Sequence, residues 1–530
     1  MSGTLTGTGE LIRFALRRDR IRLPVWIVVF AATAASAAAA TMAVYPTAAD
    51  LHAAADSINA VPSLRALYGP VPEPTLGATS VFKLTAFGAA LVGLVMIFTA
   101  VRHTRAEEEA GRRELLGSAV VGRYAGLAAA LAVTAGASVV LGLATAAALL
   151  ATGLPAPGSL AFGLCWSGAG LVFGAVAAVT AQLTKSTRSA SGLAVLALVI
   201  AYFLRAVGDS SGPGWLSWAS PIGWSEEVRP FAGDVWWVLG LPLGTAVVLG
   251  WVAVTLARVR DLDAGLLPDR PGPAGAGRSL RSAWGLAWRL NRGSLTVWTS
   301  AYVLLGLVCG SLAGNVGSML TNSQAQAMIT ALGGEKGISD AFLAAELAMG
   351  GVITSAYVIA VLARLRAEER ALRIEPLLAG AVDRRRLLGG YLVFAVAAPA
   401  VLLTALGLAA GLTNGAHLGR VGPEVARLVG AASAQLPAVW VLTGIATVVF
   451  GLFGRALTAA WAALVTFLLL GEFGALLKLD QWVLDLSPFT HSPKLPGVAV
   501  HATPLLWLTA LGAVLVVAGV VGFRRRDIAG

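Results

Sequence analysis

The ten residues Arg105–Glu114, RAEEEAGRRE, lie between two long apolar runs. Residues Arg366–Glu375, RAEERALRIE, lie in the same setting further along the chain. The two stretches agree at seven of ten positions. Other matches keep the same order: LPVW at 23–26 with LTVW at 295–298, ALYG at 66–69 with ALGG at 331–334, SPI at 220–222 with SPF at 487–489, and RVRDLDAG at 258–265 with RRRDIAG at 524–530. All offsets fall between 261 and 272. An ordered series at one period marks a tandem repeat of two similar halves.

The halves are apolar. The chain is 57% hydrophobic and 13% charged, with a mean hydropathy of +0.77, whereas a soluble protein is about a quarter charged. A membrane span needs about 20 mostly apolar residues. Candidates fall near 24–45, 84–102, 124–152, 160–183, 189–207 and 235–257, and again near 295–314, 346–363, 387–412, 429–452, 456–477 and 503–523. The pattern predicts an all-α polytopic membrane protein of about twelve transmembrane helices. Six spans per repeat is an even number, so the repeats should run parallel, related by a pseudo-twofold axis along the membrane normal. The expected division is a first six-span half over 1–257, a Pro-, Gly- and Arg-rich cytoplasmic linker with a connecting helix over 258–294, and a second half over 295–530.

The net charge of +11 follows from topology. Most lysines and arginines lie in the segments on one side of this span pattern, and the positive-inside rule makes that side cytoplasmic. Both termini and both copies of the charged loop are then cytoplasmic, in a multi-pass plasma-membrane protein. A nucleic-acid role would need a soluble basic domain, and none is legible. The arginine-rich N-terminus has no closely following cleavage site and reads as leading into a retained first span. Cys165 and Cys309 sit inside apolar runs as small hydrophobes. The five histidines show no metal-ligand spacing, and no nucleophile–base set stands out, so no catalytic, metal or cofactor residue is expected.

Within each charged loop the acids and bases are spaced for helix pairs. Glu108–Arg112, Glu109–Arg113 and Glu369–Arg373 stand at i,i+4, an arrangement that stabilises a helix by about 0.2–0.5 kcal/mol per pair. Leu115–Leu116 and Leu377–Leu378 give each helix an apolar end, and Pro376 should break the second where the first continues. Two copies on one side about one symmetry axis suit a partner that is itself a twofold dimer. The charges inside spans leave two readings for Arg205 and Glu472, which occupy equivalent repeat positions: an intramembrane pair across the axis, or two markers of the outer end of the fifth span. The segments 208–234 and 478–502 are rich in Trp, Pro and Gly and read as outer interfacial caps, with Trp215, Trp218, Trp224, Trp236 and Trp237 in an aromatic belt. The Gly-x-x-x-Gly spacings at 170–174, 240–244 and 306–310 permit close helix packing.

Taken together, the RAEEEAGRRELL and RAEERALRIEPLL loops, SLRALYG at 63–69, RDLDAGLLPDRPGP at 261–274, LSPFTH at 486–491 and the terminal RRRDIAG resemble the permease subunit of a type-2 ABC exporter. More narrowly, they are similar to the fused twelve-span actinobacterial permeases of the tetronasin-like or polyketide-antibiotic exporter family. The resemblance covers essentially the whole chain. It implies coupling helices in the loops 103–123 and 364–386, with Glu107, Glu108, Gly111, Arg112, Glu114, Leu115, Leu116, Glu368, Glu369, Arg373, Glu375, Leu377 and Leu378 as the coupling residues. It also implies amphipathic connecting helices near 8–22 and 280–294, two copies of a separate nucleotide-binding ATPase as partners, and a hydrophobic or amphiphilic small molecule as cargo. ATP and magnesium would belong to the ATPase: a phosphate-cradling loop needs Gly-Lys-Ser/Thr, and none of Lys83, Lys185, Lys336, Lys478 and Lys494 follows a glycine. The rival reading is a proton-coupled major-facilitator drug carrier. Against it stand long outer loops near 46–83 and 315–345, glutamates where the carrier loop wants aspartate after glycine, and no acid in the first half's clearest spans to carry protons.

Overall fold

A computed structural model of the chain describes residues 3–60, 62–112, 120–210, 214–261, 264–267, 274–275, 277, 282–313, 335–380, 382–453, 457–473, 480–497 and 502–526. Among these the regular structure is helical. Eleven helices are long and apolar enough to cross a membrane, and Thr458–Gly471 is a shorter apolar one, so the chain is a polytopic membrane protein of about twelve spans. Packing divides it into two compact units, Met1–Pro271 and Gly272–Gly530, and the division falls within the 258–294 segment.

In the first unit the spans are Arg22–Val44, Leu76–His103, Ala125–Ala151, Ala156–Leu183, Thr187–Ser210 and Gly240–Val259. The second and fourth form its centre. Phe162, Trp166 and Phe173 of the fourth span meet Met96 and Ile97 of the second in one buried cluster. Small residues let the fourth span approach the second and the third: a Cβ on Gly88 would lie 2.4 Å from the Trp166 ring, and a Cβ on Gly142 of the third span would lie 2.2 Å from the Gly163 carbonyl oxygen. The Trp166 indole N–H donates to the Leu84 carbonyl at 3.1 Å, which satisfies the one polar atom of a side chain otherwise buried in hydrocarbon. The stretch 46–75, between the first two spans, carries two further helices, Ala48–Ala60 and Pro62–Tyr68.

In the second unit the spans are Ala283–Ala313, Glu335–Arg370, Arg384–His417, a broken tenth made of Val421–Ser433 and Leu436–Phe453, Thr458–Phe473 and Ala502–Arg525. Its core gathers Leu362, Leu402, Leu403, Leu442, Phe450 and Phe523. The break in the tenth span follows from Pro437, which has no N–H to return to the Ser433 carbonyl. Three helices, those beginning at 76, 335 and 421, start two turns or more before their apolar runs. Asp340, Glu346, Glu424 and Arg427 therefore lie in membrane helices of the second half. Glu424 and Arg427 sit one turn apart, and Arg427 also reaches Asp340 at 2.8 Å, so two of these carboxylates share one guanidinium.

The two halves begin differently. A helix over Thr8–Arg18 is separate from the first span, whereas in the second half one helix, Ala283–Ala313, runs through the stretch expected to hold a distinct connecting helix. Pro24 accounts for the first break, because it cannot donate to the Arg20 carbonyl; its repeat counterpart Thr296 can. Asp19, buried in the gap, is held by Arg102 at 3.2 Å and His103 at 2.7 Å.

Of the three glycine spacings, Gly170 and Gly174 pack on Ser138 and Thr134, and Gly306 and Gly310 pack on the backbone of Arg384–His417. Gly240 and Gly244 face open space. The segments expected as outer caps hold short helices at Trp215–Trp218, Gly223–Glu227, Gln481–Leu484 and Pro488–His491. Trp218 and Trp237 stack at 5.7 Å, with Trp237 exposed, as an interfacial belt requires.

Candidate functional site: a buried latch in each half

The charged loop of the first half begins with a five-residue helix, Arg105–Glu109, directly after the second span. It does not continue. Gly111 takes a left-handed conformation, φ 67°, and so does its repeat counterpart Leu372, φ 56°. The helix therefore ends before the i,i+4 pairs can form. Arg112 turns back onto Glu107 at 3.0 Å, and Arg373 turns back onto Glu368 at 3.2 Å. These two i,i+5 pairs replace the expected Glu108–Arg112 and Glu369–Arg373 pairs. Arg113, Glu114, Leu115 and Leu116 lie outside the described residues, so the expectations for them, including the Glu109–Arg113 pair, stand apart from this geometry. Pro376 also acts differently from expectation. It sits in the first turn of a short helix, Glu375–Leu378, where a missing N–H costs nothing, and so starts a helix instead of ending one. Leu377 and Leu378 pack half-buried against the second half's core, and Glu375 is exposed.

Glu108 and Glu369 are turned inward, 5% and 2% exposed. Glu108 is clasped by Arg105 of its own helix and by Arg260, 2.6 Å away, just past the end of the sixth span. Glu369 is clasped in the same way by Arg366 at 2.7 Å and by Arg526, just past the end of the last span. The arginines are further satisfied by carbonyls. Arg105 donates to Thr184 at 2.7 Å and to Ala264 at 2.6 Å, Arg260 to Ala181 at 3.2 Å, and Arg526 to Phe450 at 3.1 Å. Paired and hydrogen-bonded charges are the form in which burial is tolerated. Each half thus ties its charged loop to its last span through one buried carboxylate.

In the first half the neighbouring residues extend the wiring. Glu107 also takes Arg18 of the N-terminal helix, and Glu109 accepts the Thr187 N–H at 3.0 Å at the start of the fifth span. Four of the five residues of Arg105–Glu109 are charged, and their side chains reach four different parts of the first half. In the second half Arg364 reaches the Leu290 carbonyl of the seventh span. The latch arginines Arg260 and Arg526 were not singled out from sequence. Their signal was the RVRDLDAG and RRRDIAG match, which places them at equivalent positions.

Arg205 has its partners within its own half. It is fully buried, 2.9 Å from Glu226 and 3.3 Å from Asp209, and it donates to the carbonyls of Ala66 and Leu67 at 2.9 and 3.1 Å. It also lies over the Tyr202 ring at 4.5 Å. The ALYG stretch is thus the acceptor surface for Arg205, and Glu226 fills the space a Cβ on Gly69 would need. The partner of Arg205 is Glu226, and it comes from the short helix Gly223–Glu227 between the fifth and sixth spans; the side chain of Glu472 lies outside the described residues. Burial, with Asp209 beside it, pushes the Glu226 carboxyl well above its ordinary range despite the nearby Arg205.

Two comparisons bear on identity. A family model described as the multidrug efflux system permease Rv1217c, C-terminal domain, matches residues 280–524. The multidrug efflux system permease protein Rv1217c of Mycobacterium tuberculosis is 46% identical over 525 residues, which covers 99% of this chain and 95% of that protein. A polytopic helical chain that matches this permease from end to end, with the latch arginines Arg260 and Arg526 closing each half, belongs to the Rv1217c family of multidrug efflux system permeases.

Proposed function

We propose that the chain is the membrane-spanning subunit of an ATP-driven ABC exporter. It would move a hydrophobic or amphiphilic small molecule out of the cytoplasm and couple through loops 103–123 and 364–386 to two copies of a separate ATPase. The observation that carries this reading is the duplicated latch. A loop meant only to join two spans has no need of a buried carboxylate tying it to the last span of its half, built twice from repeat-equivalent residues. A loop that must transmit a push needs such rigid connections, because displacement passes through packed and ion-paired elements and is lost in mobile ones.

On this reading the roles divide. Glu108 and Glu369 transmit inside the membrane domain. The outward groups, Arg112 with a side chain 47% exposed and Arg373 at 68%, together with Glu375, face the ATPase. Both termini and both loops lie in the cytoplasm, and ATP and magnesium bind on the partner.

The test is the double reversal Arg112→Glu/Arg373→Glu in cells that carry the ATPase. The expected result is loss of ATPase co-purification and of drug efflux, with expression and melting of the permease unchanged. Retention of both association and efflux would overturn the coupling role. A proton-driven carrier is separated by supplying ATP outside inverted vesicles, where the cytoplasmic face lies, and adding a protonophore: drug accumulation that stops with ATP still present would favour it, and Glu346, 3.7 Å from the Cys309 sulfur, would be its first residue to examine.

A further inference from the structure

A cavity of about 530 Å³ opens within the first half, between the N-terminal helix and the start of the third span. Leu11, Phe14 and Arg18 form one wall; Arg123, Tyr124 and Leu127 form the other, with Arg260 at its base. One end of the lining is cationic and the other is apolar. Among the described residues, the ion pairs around the cationic end carry more bases than acids. Asp19 is shared by Arg102 and His103, Glu107 by Arg18 and Arg112, and Glu108 by Arg105 and Arg260. Three carboxylates thus face five guanidinium groups. On the rim Arg123 donates to the Arg258 carbonyl at 2.9 Å, with Asp261 as a further acid in the lining. The excess is felt locally: burial and then the nearby Arg102 and Arg112 push the Arg18 guanidinium below its ordinary value.

A second crevice, of about 370 Å³, lies on the other flank of the same N-terminal helix. It is lined by Leu23, Pro24, Ile27, Val133, Ala137 and Val140. Val133, Ala137 and Val140 continue along the third span from the wall of the first cavity, so the two spaces are staggered along one helix. The N-terminal helix itself leaves Phe14 and Leu16 exposed, with Ile21 exposed just beyond it, which suits immersion at a membrane interface.

We infer that this paired space is a binding site for an anionic phospholipid, with the phosphate between Arg18 and Arg123 and an acyl chain in the crevice beside Ile27 and Val140. Arginine suits the phosphate because its planar fork donates two hydrogen bonds in parallel. Basic pockets beside spanning helices select anionic headgroups for the same reason. The site goes beyond the export reading and does not depend on it. With the orientation proposed above, the lipid comes from the inner leaflet. Its place against Glu107 and the Arg260 latch would put the charged loop in direct contact with membrane composition.

The experiment is native mass spectrometry of the delipidated full-length chain in detergent, titrated with palmitoyl-oleoyl phosphatidylglycerol or phosphatidylcholine. Wild type should retain phosphatidylglycerol in preference to phosphatidylcholine. Arg18→Gln/Arg123→Gln should weaken phosphatidylglycerol retention by about tenfold or more, the scale of losing one charge-assisted contact, and Arg18→Lys/Arg123→Lys, which keeps the charge but not the fork, should restore part of it. Phe14→Glu, at a position 56% exposed, should weaken it as well by placing a negative charge at the mouth. Equal retention of the two lipids by wild type, or unchanged phosphatidylglycerol retention in both the glutamine double variant and Phe14→Glu, would overturn the assignment. Displacement of the bound lipid by a transported drug would also overturn it, and would give the cavity to cargo.

Discussion

The latch makes Glu108→Gln the most informative single change. Glutamine keeps the volume and one carbonyl acceptor, and removes the charge that Arg105 and Arg260 share. Both guanidiniums stay buried, with side chains 1% and 5% exposed. Breaking a buried pair by removing one partner costs about 3–5 kcal/mol. Arg105 keeps the Thr184 and Ala264 carbonyls and Arg260 keeps the Ala181 carbonyl, so the loss should fall near the lower end, about 3 kcal/mol. A unit of this size shifts its melting temperature by about 2–4 °C per kcal/mol, so the first half should melt about 6–12 °C lower, read by intrinsic tryptophan fluorescence of the full chain in detergent. Adding Arg260→Met removes one orphaned charge and should recover a substantial part of the loss. Glu369→Gln should cost less, because Arg366 and Arg526 are more exposed, at 11% and 14%, and Arg526 also rests on the faces of Phe450 and Phe523. A Glu108→Gln protein that melts with wild type would refute the latch, as would an Arg260→Met change that adds its full cost to that of Glu108→Gln.

Leu372 holds a left-handed backbone that glycine adopts freely at Gly111, so Leu372→Gly should raise stability by about 1 kcal/mol and Gly111→Ala should lower it by a similar amount; thermal melts of the two variants check the opposite signs. Gly310→Leu should disrupt packing of the seventh span on the ninth, since a Cβ there already meets the Ala410 carbonyl oxygen at 2.2 Å, whereas Gly244→Leu faces open space and should express and melt as wild type. The raised Glu226 pKa carries a pH signature. The folded chain binds more protons than the unfolded chain between the ordinary glutamate range and the folded value, so stability is full below that window and falls as pH rises through it. Glu226→Gln should remove that slope, which melting curves recorded from acid to neutral pH would show.

Sequence alone determined the class of this protein. Twelve apolar runs, charge concentrated in the segments between them, and two ordered sets of matching motifs are one-dimensional properties, and the lipid environment turns them directly into helices. The repeat also pointed to the loops, and even to Arg260 and Arg526, because it aligned residues without saying what they touch. Tertiary structure decided the rest. Gly111 and Leu372 end the loop helices by their backbone conformation, which no spacing of charges reveals, and so Glu108 and Glu369 face inward and not along a helix surface. Arg205 finds Glu226 because the short helix Gly223–Glu227 folds back over the fifth span, a contact between segments whose separation in sequence carries no signal. The break before the first span came from Pro24, legible in hindsight, but the three-way meeting of Asp19, Arg102 and His103 that fills it depends on two helices crossing at one height in the membrane. Periodicity and composition dictate which segments are buried; which buried charge meets which is a matter of where packed helices place their ends.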